Sequence, residues 1–285
     1  MKKIKILAAL AFCVALIVIF VMIIKNLSFS KPEGEPETET YSQQSAATVI
    51  VTIPEGTPCI EIAELLEEKG VCSKQDFLDA VANPENKAKI PGVIENDSER
   101  PYLLEGWIFP DTYEFYAGCS GQAALDRFLE NADRKINRDD YRERADELGL
   151  TMDEVIIIAS IIQEEAGNPA NMKGVSSVIH NRLNSRDFPR LQCDVAVAYL
   201  QKYVKPYYDS ETYSEYCDYY NIVTDRKGLP AGAISNPGTD AIEAALYPAD
   251  TDYYYFVTDE DENYYYAETW SEHKANCRKA GIPGY

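Results

Sequence analysis

Residues Thr151–Gly167, TMDEVIIIASIIQEEAG, decide the reading of this chain. Thr151 followed three residues later by Glu154 is a capping box and predicts a helix start. Gly167 stands where a helix ending in the left-handed conformation would place it. Between them Val155, Ile158, Ile162 and Glu165 fall on one side at helical spacing, and Ile157, Ile161 and Glu164 on the neighbouring side. A helix apolar nearly all round belongs in a domain centre. This one ends in carboxylates, at the negative pole of its macrodipole, which disfavours them by roughly 0.3–1 kcal/mol. A half-buried carboxyl there holds its proton to high pH. That is the state a general acid needs at neutrality. The alternative is a solvated helix end with two ordinary surface glutamates.

The chain's 285 residues allow one large or two small domains. Residues 1–25 carry four lysines and no acid, and Ile6–Ile24 is an uncharged apolar run long enough to span a bilayer. The lysines favour a cytoplasmic N-terminus. No small-x-small site follows the run, so an uncleaved anchor is expected in preference to a signal peptide. Residues 26–47 are polar and rich in Pro, Glu, Ser and Thr, the composition of a flexible linker.

The chain holds 27 basic and 47 acidic residues, a net charge of −20. Beyond residue 25 the counts are 23 and 47, a net of −24, which argues against a nucleic-acid partner. Six cysteines follow the anchor: Cys59, Cys72, Cys119, Cys193, Cys217 and Cys277. Disulfides and buried free thiols are both open readings. With no CxxC and only His180 and His273, no metal site is expected, and nothing calls for a cofactor. His180 reads as a helix-face residue and His273 as an exposed one.

Residues 48–53 read as a strand, and 58–69 and 73–82 as helices, the second capped by Ser73. They predict a small α+β module over 48–92, closed by a proline-punctuated loop. Residues 93–285 form the second, mixed α+β domain. It contains a turn-rich aromatic stretch from Tyr102 that ends as a strand, exposed helices over 121–148, and the central helix. A helix over 170–183, a short helix over 192–201 and another over 239–246 follow. A hairpin over 253–258 and 263–267 precedes a closing helix over 269–280.

Amide and acidic side chains gather in the loops: Asn181, Gln192, Asp194, Asn221 and Asn236. Trp107, Phe109, Tyr113, Tyr199, Tyr220 and Tyr254 lie near them in sequence. Amides offer paired donors and acceptors for hydroxyl and acetamido groups, and aromatic faces suit sugar rings. The composition points to a carbohydrate groove.

Seven motifs stand in one order: LEGWIFPDTYEF (Leu104–Phe115), IASIIQEEAG (Ile158–Gly167), VIHNRL (Val178–Leu183), LQCD (Leu191–Asp194), YN (Tyr220–Asn221), GLPAGAISNPG (Gly228–Gly238) and AALYPADTDYYYFV (Ala244–Val257). Together they resemble the YceG-like (MltG) family of endolytic murein transglycosylases. VTIPEGTPCIEIAELLEEKGV (Val51–Val71) resembles that family's LysM-like module. The resemblance implies Glu165 as catalytic acid, with Asn181, Gln192, Asp194, Tyr220, Asn221 and Asn236 binding substrate. It also implies a single-pass membrane protein with its catalytic domain outside. Its partners would be peptidoglycan glycan strands, the cytoplasmic membrane and cell-wall synthases. The chain departs from the family pattern at Gln163, where an acid is usual, at Glu164, where a lysine is usual, and at Tyr264 and Tyr266, which replace the histidine and phenylalanine of an HxF-type strand.

Overall fold

In the computed structural model, which describes residues 47–188, 191, 193–220 and 228–284, the capping box at Thr151 is present. The Thr151 hydroxyl accepts from the Glu154 N–H and the Glu154 carboxylate accepts from the Thr151 N–H. The expected anchor and linker lie outside the described residues. Among those described, no helix is long and apolar enough to cross a membrane.

In chain order the elements are β1 (Thr48–Thr52), α1 (Cys59–Glu68), α2 (Lys74–Ala82), β2 (Thr112–Tyr116), α3 (Gly121–Ile136), α4 (Asp139–Leu148), α5 (Met152–Glu165), α6 (Pro169–Asn184), α7 (Asp194–Tyr199), α8 (Ser210–Tyr219), α9 (Thr239–Leu246), β3 (Tyr255–Thr258), β4 (Tyr264–Ala267) and α10 (Trp270–Lys279). Short 3-10 turns lie at Pro84–Lys89 and Asp97–Glu99, and α7 runs on as a π-turn through Val204. The fold is helix-rich α+β, with two antiparallel two-stranded sheets among the described residues.

Helix α5 is the central rod. Val155, Ile156, Ile157, Ile158, Ile161 and Ile162 are all buried. Helix α9 lies along it and α6 packs against both. The loop before β2 covers another side, where Gly106 allows the approach: a Cβ there would meet the Ile156 Cγ2 at 2.6 Å. That loop is tied to α5 by ions. Buried Arg100 pairs with buried Asp153, and the Trp107 indole N–H donates to the same carboxylate at 3.3 Å.

The first sheet joins segments far apart in sequence. Strand β1 pairs with β2 in register from Thr48↔Tyr116 to Thr52↔Thr112. Phe128 of α3 packs against Phe77 of α2 and against Tyr113 and Phe115 of β2, with ring centroids 4.5–5.9 Å apart. At the crossing of α2 and α3, a Cβ on Gly121 would lie 2.2 Å from the Asp76 carbonyl oxygen. Helix α3 is therefore not an exposed helix, as its charge had indicated. Leu125, Phe128, Leu129, Ala132 and Ile136 form a buried stripe beneath a charged outer face.

The sheet thus crosses the boundary expected at residue 92, and residues 46–285 form one compact unit. A fragment of residues 93–285 would lose the partner of β2 and uncover Tyr113, Phe115 and Phe128. Each buried aromatic contributes on the order of 1.5–3 kcal/mol. We expect that fragment to lose cooperative thermal unfolding by calorimetry. An unchanged sharp transition would show that residues 48–92 are a separable module after all.

Two local expectations are corrected. Gly167 is not left-handed, and the residue ending α5 is Ala166 in an extended conformation. Residues Ser210–Tyr219, left without a helix in the sequence reading, form α8, with Asp209 accepting from the N–H groups of Glu211 and Thr212. All six described cysteines are free thiols.

Candidate active site

The last turn of α5 delivers three polar side chains in diverging directions, because consecutive helical residues are about 100° apart. The Gln163 side-chain amide oxygen, Oε1, accepts from the Gly238 N–H at 3.0 Å. Glu55 crowds the same glycine, and Asp240 lies near enough to raise the Glu55 carboxyl further, after burial. A neutral amide at 163 keeps the bond without adding a third negative charge, which accounts for the departure from an acid at this place. Glu164 turns toward Gly56, Ser235 and the Glu61–Lys202 ion pair. Burial raises its carboxyl, although much of the side chain meets solvent.

Glu165 turns the other way, toward Arg182 of α6 and Cys193–Asp194 at the start of α7. Burial pushes its carboxyl up to about 7, the charge of Asp194 adds to the rise, and Arg182 opposes it. The side chain is half-buried, so it combines a dry environment with access from solvent. That pairing separates it from Glu105, whose carboxyl is pushed up to about 8, again chiefly by burial. Glu105 is only 2% exposed and accepts from the Cys59 N–H, the Tyr199 hydroxyl and the Asn236 amide. No polymer could reach it. Of these two raised carboxyls, Glu165 is the one a substrate can touch.

Among the described residues Arg182 brings the positive charge to Glu165, and the sequence reading passed over it although it lies in VIHNRL. Its Nε donates to the Tyr254 carbonyl at 2.7 Å and its Nη1 to the Leu191 carbonyl at 2.5 Å. The guanidinium lies over the rings of Phe188 and Tyr255, 5.5 and 5.8 Å from their centroids. It fixes the approach to α7 against the hairpin while bringing positive charge toward Glu165. This is a use of the planar, multiply donating guanidinium that lysine could not match.

The remaining expected site residues separate. Asp194 joins Glu165, and it is exposed in the first turn of α7. It does not cap that helix: Cys193 is the cap residue and makes no side-chain cap bond. Asn181 spends its NH₂ on the carbonyls of Thr251 and Tyr253, at 2.7 and 2.9 Å. Asn236, fully buried, accepts from the N–H groups of Gly106 and Ile108 and donates to the Thr57 carbonyl and to Glu105. All four of its hydrogen-bonding positions are filled within the protein, so none remains for a sugar. Tyr220 is 2% exposed, its ring stacked on Tyr199 at 5.9 Å. These three hold the framework instead of facing a groove. Gln192 and Asn221 lie outside the described residues.

The histidines are also placed. His180 bonds the Ala245 carbonyl at 2.8 Å, and burial lowers its pKa, so it is a neutral strut between α6 and α9. His273 is half-buried, not exposed as expected, and stacks on Tyr255 with centroids 5.2 Å apart.

Tyr264 of β4 reaches the end of α5. Its hydroxyl donates to the Glu165 carbonyl and accepts from the Gly167 N–H, both at 2.8 Å. This explains why Gly167 need not turn left-handed. Its amide finds a partner across the fold instead of in the helix's own last turn.

Comparison with known proteins gives one consistent result. The model of the YceG-like family matches residues 32–279. An endolytic murein transglycosylase of Streptococcus pneumoniae is 30% identical over 259 residues, 83% of this chain and 45% of that protein. The Bacillus subtilis protein of the same name is 29% identical over 235 residues, 78% of this chain and 62% of its own length. The chain thus spans about half to three fifths of these curated relatives. The crystal structure of a yceG-like protein from Listeria monocytogenes superposes with a TM-score of 0.64 at 29% identity, covering 80% of this chain and 75% of that one.

Proposed function

Because the chain belongs to the YceG-like family, we propose that it is an endolytic murein transglycosylase and that Glu165 is its acid and base. The observation that carries the reading is the half-buried Glu165 carboxyl, raised to about 7, at the end of the central helix. In the proposed reaction the protonated Glu165 donates to the oxygen linking N-acetylmuramic acid to N-acetylglucosamine. Positive charge develops at the anomeric carbon as that bond breaks. The ionised Glu165 then takes the proton of the muramyl 6-hydroxyl. That oxygen closes on the anomeric carbon and leaves a 1,6-anhydro end. Glu165 finishes protonated, as it began, and no water is consumed.

One carboxyl suffices for this cycle if its two forms are near in free energy, and a pKa near the working pH provides that. Arg182 limits the rise and Asp194 sustains it. With Asp194 and Arg182 beside it, Glu165 has charged neighbours able to receive hydroxyl and amide groups of a sugar. Gln192 and Asn221 retain their proposed binding roles. In this reading residues 1–25 anchor the protein in the cytoplasmic membrane, and residues 26–47 carry the catalytic unit outward to nascent strands. Cleavage there would limit strand length beside the cell-wall synthases. The Val51–Val71 stretch would contribute LysM-like glycan contacts.

Digestion of purified peptidoglycan, with the products separated by mass, tests the chemistry. Anhydro-muramyl ends are expected. Reducing ends would make the protein a hydrolytic muramidase. Binding to the wall with no new ends at all would make it an inactive scaffold.

A further inference from the structure

The end of α5 is not closed by its own sequence. In a helix that closes itself, a left-handed residue folds the next N–H groups back onto the last carbonyls. Here the chain leaves α5 extended at Ala166, and Gly167 keeps a negative φ. The Glu165 carbonyl and the Gly167 N–H meet on one atom, the Tyr264 hydroxyl oxygen, at 2.8 Å each. That atom comes from a strand nearly a hundred residues further along the chain.

The hydroxyl is itself held firmly. The Tyr264 ring packs against those of Phe256 and Tyr266, 6.2 Å from each centroid, and Tyr266 stacks on Tyr253 at 5.4 Å. Tyr266 reaches the other end of the same connection, donating to the Asn171 carbonyl at 3.3 Å. Room for that ring comes from Gly174, where a Cβ would lie 2.4 Å from its hydroxyl oxygen. The hairpin therefore clasps the α5–α6 connection at two points, and only one of them is the backbone of Glu165 itself.

We propose that Tyr264 is a positioning residue for the reaction, whose hydroxyl fixes the backbone of Glu165 and so the direction in which its carboxyl meets the glycosidic oxygen. It touches no substrate in this proposal and acts through Glu165 alone. The inference rests on the reading of Glu165 as the acid. Displacing a catalytic group by about 1 Å costs on the order of 10²-fold in rate. A helix end that has lost this clasp on the Glu165 backbone is free to move on that scale.

The test uses the full chain and the release of anhydro ends from purified glycan strands. Tyr264→Phe keeps the stacked ring and removes the bridging hydroxyl. Tyr266→Phe removes the neighbouring hydroxyl from the same face of the same strand. For Tyr264→Phe we expect kcat to fall roughly 10- to 100-fold with KM within about threefold of the wild type. Tyr266→Phe should lose a comparable amount of thermal stability and less than about threefold in kcat. The double variant Tyr264→Phe/Glu165→Gln should be no slower than Glu165→Gln, because a residue acting through Glu165 has nothing left to position. Near-normal kcat in Tyr264→Phe, with Glu165→Gln inactive, overturns this proposal and leaves the acid in place. Equal losses of kcat in the two tyrosine variants also overturn it, since the hairpin would then serve only to hold the fold. Activity surviving in Glu165→Gln overturns the reading of the acid, and the role of Tyr264 falls with it.

Discussion

Glu165→Gln should lose at least ~10²-fold in turnover, the lower range for a missing general acid–base. The amide keeps the shape of the side chain and cannot supply a proton. Glu164→Gln should fall far less, because Glu164 points to the Gly56 and Ser235 side of the helix end. The wild-type rate should decline as pH rises through about 7, where the Glu165 carboxyl loses its proton. The same substitution should alter stability in the opposite sense. The folded state binds the Glu165 proton more tightly than the unfolded chain does, so this group's contribution is fully present below the unfolded value near 4.5 and is lost as pH rises through 7. A shift of this size corresponds to at most roughly 3 kcal/mol, less the share screened where the carboxyl meets water. Glu165→Gln should therefore unfold at higher temperature than the wild type at pH 8, with the difference gone at pH 4. A dead Glu164→Gln beside an active Glu165→Gln would move the acid by one residue.

The second large effect lies at the other end of α5. Arg100→Met should destabilise the protein by about 3–5 kcal/mol, the cost of leaving one member of a buried ion pair alone. The Arg100 side chain is 2% exposed and that of Asp153 is 9%. Asp153 would keep only the Trp107 indole among the donors it has here. At about 2–4 °C per kcal/mol for a domain of this size, the midpoint should drop by roughly 6–20 °C. Because the desolvation of two charges nearly cancels their attraction, Arg100→Met/Asp153→Leu should recover much of the loss. A midpoint for Arg100→Met within a degree or two of the wild type would show that the pair is solvated in solution and does not clamp the loop that carries Gly106 and Trp107.

The sequence made the central helix legible because its start is a local device. Thr151 and Glu154 are three residues apart and answer only to each other. Its end was misread because the partner is tertiary. Gly167 invites a left-handed cap, and nothing nearby announces that Tyr264 will take its N–H. Strand β1 was equally visible, but its pairing with β2 spans about sixty residues, so a local pattern closed the module too early. Charge alone placed α3 at the surface, whereas its stripe from Leu125 to Ile136 had the spacing of a buried face. The loop amides show a different limit. Asn181 and Asn236 have the chemistry that grips a sugar, and the same chemistry grips backbone carbonyls and N–H groups. Residue type cannot choose between these uses, and only the position of the surrounding chain does. Glu165 stands out in the sequence because three features meet on it: a buried helix, a negative helix end and a motif.

The central claim is that Glu165 holds its proton at neutrality, and titrating that carboxyl tests it most directly. Carboxyl ¹³C NMR of labelled glutamate, with Glu165→Gln used to assign the signal, should give a midpoint near 7. Removing the neighbouring negative charge in Asp194→Asn should move that midpoint down, and removing the positive charge in Arg182→Gln should move it up. A midpoint near 4.5, indifferent to both neighbours, would make Glu165 an ordinary surface glutamate and contradict the account.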